Sequence, residues 1–167
     1  MRDAYFRNKD FGSAMLAKFD ELEKKSGIRL EIPQKILLAE TGTLEQVLSV
    51  LAGESVEVKV VEQKETRGVI TRASTVSTNS GRLLIKAQSR IFTRNIPRKV
   101  AQLVRAHDYG IGSIIQSLEL ETFRKITEIG YDPHSANLFR KYQITIGKAL
   151  MQHKSHRHSL PFFAMVK

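Results

Sequence analysis

The chain has 167 residues, 41 % hydrophobic and 26 % charged, which is enough for one domain (1–167) with a buried core. It has no cysteine, so a disulfide, a thiolate metal site and a cysteine nucleophile are all excluded. Its net charge is +10, with 27 Lys and Arg against 17 Asp and Glu, which suits a small anionic ligand, a nucleic acid or simply a solvated basic surface.

The N-terminal stretch MRDAYFRNKDFGSAM has no signal-peptide apolar segment, and no apolar run is long enough to span a bilayer. A cytoplasmic protein with no membrane partner is therefore expected. Phe11, Met15, Leu16, Phe19 and Leu22 recur at helical spacing and predict a helix over 11–25, stopped by Gly27. Pro33 opens a short helix over 34–38. Thr43 and Gln46 have the capping-box spacing, with Leu44, Val47, Leu48 and Leu51 as the apolar stripe and Gly53 as the stop. Val56, Val58 and Val60 alternate in a strand over 55–63.

A hairpin follows over 68–92, turning at Asn79, Ser80 and Gly81. In its return arm Leu83, Ile85, Ala87, Ser89 and Ile91 share one face, the period of two expected of a strand buried on one side. Its first arm carries an anomaly: Arg72 shares the more apolar face with Ile70, Ser74 and Val76. Either Arg72 snorkels to water or pairs with a nearby Glu, or it is a buried guanidinium that awaits a carboxylate ligand.

Pro97 opens a helix over 97–107. The stretch HDYGIGSIIQSLE then places two glycines before an apolar run, which predicts a backbone in close approach to something, followed by a short helix. A strand over 120–131 ends at the turn Asp132–Pro133. A second hairpin is expected over 139–154, with Tyr142, Ile144 and Ile146 on one face and Gly147–Lys148 as the turn. The tail, basic and then apolar, is expected to pack on the body as an edge strand over 162–166. Short links between strands favour an antiparallel sheet flanked by helices, an α+β domain.

No P-loop, nucleophile elbow or kinase signature is present, and no serine stands in a recognisable nucleophile setting. His153, His156 and His158 are imidazoles close in sequence, yet their neighbours are Lys and Arg, so a solvated tail is the first reading and a metal site the second. The acids Asp20, Glu21 and Glu23 read as a solvent face. Nucleic-acid binding rests on the net charge alone, since the basic residues are spread along the chain; no specific nucleic-acid partner is expected.

Several pieces, in order over about 36–163, resemble the chorismate pyruvate-lyases, in particular their archaeal, cyanobacterial and actinobacterial branch. They are Thr41-Gly42-Thr43-Leu44-Glu45-Gln46-Val47-Leu48, Val56 with Val58, Arg72, Ala87-Gln88-Ser89-Arg90-Ile91, Ile111-Gly112, Ile129-Gly130, and Arg140, Tyr142, Ile144, Gly147 and Lys148. The resemblance implies a chorismate lyase-like fold and the elimination of pyruvate from chorismate to give 4-hydroxybenzoate, without metal or cofactor. It implies that Arg72 binds a carboxylate, that the backbone of Ile111 and Gly112 donates hydrogen bonds to the ligand, and that Leu44 covers the ring. Two positions depart from the family pattern. Thr41 replaces an Asp, and Lys154 stands where the last hairpin of the family returns through a Glu facing the ligand. Lys154 would then join Arg72 as a catalytic cation holding the enolpyruvyl carboxylate. Alternatively, the protein is a non-catalytic binder or sensor of a small aromatic carboxylate. A homo-oligomer is left open.

Overall fold

The computed structural model describes residues 11–147 and the backbone of a strand at His158–Val166. Four helical segments and three strands come first: α1 (Phe11–Ser26), α2 (Ile32–Ala39), α3 (Leu44–Ala52), β1 (Val56–Thr66), β2 (Val69–Thr78) and β3 (Leu83–Phe92), with α4 (Arg98–Arg105) following a short 3-10 turn at Thr93–Asn95. Then come α5 (Ile111–Ser117), β4 (Thr122–Asp132), β5 (Asn137–Ile146) and β6 (His158–Val166). The six strands form one sheet in the order β1-β2-β3-β6-β5-β4, and every neighbouring pair is antiparallel. The architecture is α+β, as the alternation and the short links predict.

One face of the sheet is buried and the other is open. Ile70, Arg72 and Val76 of β2 point to the buried face, with Ile85, Ala87, Ser89 and Ile91 of β3 and Leu138, Arg140, Tyr142, Ile144 and Ile146 of β5. The intervening Thr71, Lys86, Gln88, Arg90 and Gln143 are exposed. The helices cover the buried face: Phe19 and Leu22 of α1, Leu37 and Leu38 of α2, Leu44 and Leu48 of α3, Val100 and Val104 of α4, and Ile114 and Ile115 of α5 join the same core. Among the described residues no helix is long and apolar enough to cross a membrane.

Local chemistry sets the ends of these elements. The β1–β2 link is the pair Arg67 and Gly68, both at positive φ (50° and 75°), as a two-residue hairpin of matching twist requires. Gly53 ends α3 in the left-handed conformation at φ 69°. At the start of α3 the Thr43 side chain makes no capping bond, and the Gln46 N–H bonds to the Thr43 carbonyl instead. The reciprocal arrangement is found one helix earlier, where the Glu31 N–H donates to the Gln34 side chain at 2.9 Å. Leu16 and Leu51, counted in the apolar stripes, are exposed.

One expectation about the C-terminal part is corrected and another falls outside the described residues. The strand that returns along β5 is β6, paired from Ile146↔His158 to Leu138↔Val166, while the return arm expected over 149–154 and Lys148 of its turn lie outside the described residues. The tail is not an edge strand, because β6 lies between β3 and β5. Its sequence, HSLPFFAMV, contains no charged residue to protect an open edge, which fits a strand paired on both sides. Pro161, with no N–H to give, pairs with Gln143 of β5 but stands just outside the Phe162–Val166 segment that also pairs with β3.

Candidate ligand pocket

On the buried face, β2 brings Arg72 beneath α3 and α5. Arg72 lies in a cross-strand row with Gln63 of β1, Ser89 of β3, the Phe162 backbone of β6, Tyr142 of β5 and Ile126 of β4. It is only 3 % exposed, which rules out snorkelling to water. Its Nη2 donates to the Tyr109 carbonyl in the loop before α5. Its Nη1 is buried with no hydrogen-bond partner, and no carboxylate lies within 4 Å of it among the described residues. Burial pushes the guanidinium pKa below its ordinary value. An unpaired buried cation is costly, and an anion at Nη1 would offset that cost.

A hollow of about 40 Å³ adjoins it, lined by Leu44, Val58, Ser74, Val76, Ala87, Ile111, Gly112 and Ile144 together with Arg72, Glu45, Arg124 and Tyr142. The four predicted binding residues Arg72, Leu44, Ile111 and Gly112, far apart in sequence, therefore meet around one space. That space has room for water-sized groups but not for a six-membered ring, so α3 and α5 must part for a ring to enter. Arg72 also borders a larger space, shared with Thr71, Ala73, Gln88, Ser89, Tyr142 and Gln143 among others, next to the residues of β3 and β5 that pair with Pro161–Phe163 of β6.

Three lining groups were not singled out as ligand contacts by the sequence. Arg124 of β4 donates from Nη1 to the Thr41 carbonyl at 3.0 Å, and its buried Nε has no partner among the described residues. The alternation that would have revealed it is broken by a register shift between Ile126 and Glu128. Tyr142 is 7 % exposed, and burial pushes its hydroxyl pKa well up, so it remains a neutral donor. Glu45 of α3 is half-buried and lies against the glycine loop: a Cβ on Gly112 would stand 2.7 Å from its Oε1, and one on Gly110 3.1 Å. What comes close to the glycine backbone is therefore an acid of this chain.

Arg140, the other buried arginine, is differently placed. Its Nη1 donates to the Leu37 carbonyl at 2.7 Å and to the Glu40 carbonyl, and its Nη2 meets Glu40 Oε2 at 3.2 Å. Its guanidinium also stacks 4.9 Å from the Tyr142 ring. It ties the end of α2 to the sheet through an ion pair that Arg72 lacks, although its buried Nε, like Nη1 of Arg72 and Nε of Arg124, has no partner among the described residues. Lys154 lies outside the described residues, as do the side chains of His153, His156 and His158; among the described residues no cluster of His, Asp or Glu could hold a metal ion. No protein-family model and no curated protein matches the chain.

Proposed function

We propose that the protein is a chorismate lyase-like enzyme that takes the ring carboxylate of chorismate on Arg72 and releases 4-hydroxybenzoate and pyruvate. The observation that carries this reading is the buried, unpaired Nη1 of Arg72 beside a hollow shared with Leu44, Ile111 and Gly112. Chorismate already contains most of an aromatic ring. Loss of the hydrogen on the hydroxyl-bearing carbon, with cleavage of the neighbouring ether C–O bond, completes it. Enolpyruvate leaves with the bonding pair and takes up a proton to become pyruvate. The ring supplies the driving force, so the protein needs chiefly to orient the ether, hold the carboxylates and exclude water. Arg72 suits the ring carboxylate, Arg124 suits the enolpyruvyl carboxylate, and Leu44 and Ile111 cover the ring. This chemistry draws on no cofactor.

One observation favours a second reading, a non-catalytic binder of an aromatic carboxylate. From Pro133 to the end the sequence has no Asp or Glu, so the ligand-facing Glu of the resembled family has no counterpart there. Incubation of pure protein with chorismate, with chromatographic assay of 4-hydroxybenzoate and pyruvate, separates the two. Formation of both products faster than in buffer, abolished by Arg72→Leu, is the result expected of the enzyme. Calorimetric binding of 4-hydroxybenzoate without turnover would leave the binder. Absence of both would overturn the pocket reading.

A further inference from the structure

Resting on the reading of Arg72 as an anion site, we infer that the closed hollow takes one small inorganic anion, a halide such as chloride, on Nη1 of Arg72. The ion then excludes ring carboxylates by favouring the closed packing of α3 on α5. Arg72 is 3 % exposed, its Nη1 has no partner, and no acid pairs with it among the described residues. Arg124 lines the same hollow and also has a buried nitrogen, Nε, without a partner among the described residues. The acid of the lining, Glu45, is half-buried and forms no ion pair with either arginine. Two arginines against one glutamate leave the lining positive. Tyr142 adds a hydroxyl that burial keeps protonated. A water in the hollow would accept the Nη1 hydrogen bond but leave the charge uncompensated, whereas an anion does both. Size then selects the anion. About 40 Å³ admits a body of the size of a water molecule, and a halide ion is close to that size. Being spherical, it needs no directed second contact. A carboxylate carried on a ring is far larger and requires the helices to part. In the parted state water reaches Arg72 and weakens its hold on a halide. The two ligands therefore prefer different packings of α3 on α5, and ligands that prefer different states weaken one another.

The test begins without a ring ligand. Thermal unfolding of the full chain is followed in sodium chloride and in sodium gluconate at equal ionic strength, gluconate being too large for the hollow. The parent should melt about 2–4 °C higher in chloride. Arg72→Leu should melt at one temperature in both salts, because the seat of the ion has gone. By calorimetry, 4-hydroxybenzoate should bind the parent about fivefold or more weakly in chloride than in gluconate. Equal parent midpoints in the two salts overturn the inference and leave the carboxylate site untouched. A difference that persists in Arg72→Leu shows an adventitious ion only, held at the basic surface, and overturns it as well. A midpoint shift with unchanged 4-hydroxybenzoate affinity keeps the ion site and overturns the competition. Failure of the parent to bind 4-hydroxybenzoate in either salt sinks the proposed function, while the chloride-dependent midpoint still decides the ion site. If Arg72→Leu does not fold, diffraction from parent crystals grown in bromide decides. An anomalous peak within hydrogen-bonding distance of Arg72 Nη1 supports the site, and its absence there overturns it.

Discussion

At the scale of single residues, two buried arginines should respond in opposite ways to removal. Arg140 is 2 % exposed and paired with Glu40, so Arg140→Met strands a buried carboxylate and two carbonyls. A loss of about 3–5 kcal/mol in urea unfolding is expected, the scale for breaking a buried pair. Among the described residues Arg72 has no acid to strand, so Arg72→Leu should leave stability unchanged or raise it. The same change should weaken 4-hydroxybenzoate binding by about 1.5–3 kcal/mol, measured by calorimetry. A large loss of stability in Arg72→Leu would show that Arg72 belongs to the scaffold. The period of two was enough to put Arg72 on the buried face, but not to say which buried arginine was paired with an acid. That depends on Glu40, about a hundred residues from Arg140 in the chain. Glu45 was concealed for the same reason: its neighbours Gly110 and Gly112 reach it only through the packing of α3 on α5.

At the scale of elements, β4 and β5 are locked by a glycine. Gly130 pairs with Phe139, and a Cβ on Gly130 would stand 2.3 Å from the Phe139 ring. The ring lies across the space that a side chain would fill, so Gly130→Ala must shift a strand or the ring. A loss of about 1–3 kcal/mol is expected by thermal or urea unfolding, as for overpacking; an unchanged midpoint would mean that the ring swings clear freely. The turn between β2 and β3 is held by Glu54, which accepts from the Ser80 N–H at 3.0 Å and its hydroxyl at 2.8 Å. The Ser80 hydroxyl bond, then the N–H bond, lowers the Glu54 pKa from its ordinary 4.5. A depressed carboxylate stabilises the fold above the unfolded value and loses that contribution as pH falls through the folded one. Melting temperatures should therefore fall on acidification below about pH 4.5, and less steeply in Glu54→Gln. Hairpins were the most legible elements because alternation and turn residues are local signals. The path of β6 was not, because its place depends on two strands that leave their inner edges open to it.

At the scale of the whole molecule, β6 joins two halves that otherwise form separate sheets. β1, β2 and β3 pair consecutively, as do β4 and β5, and β6 supplies the backbone ladder between β3 and β5. The candidate pocket straddles that join. Arg72 and Ala87 come from one half, and Arg124, Tyr142 and Ile144 from the other. The last strand in sequence is thus the one that fixes the distance between the cationic groups of the hollow. Removal of residues 158–167 should expose two unpaired inner edges, each a template for association with another chain. The shortened protein should lose its single cooperative transition, associate at micromolar concentration and bind no 4-hydroxybenzoate. A synthetic peptide covering 158–167 should restore part of the folded signal and of binding by strand addition, since main-chain pairing supplies the contact on both sides. Circular dichroism, size-exclusion chromatography and calorimetry together decide the matter. A shortened chain that melts at the parent midpoint and remains monomeric would mean that the helical layer alone holds the halves in register. β6 would then be a cover for the sheet rather than its joint.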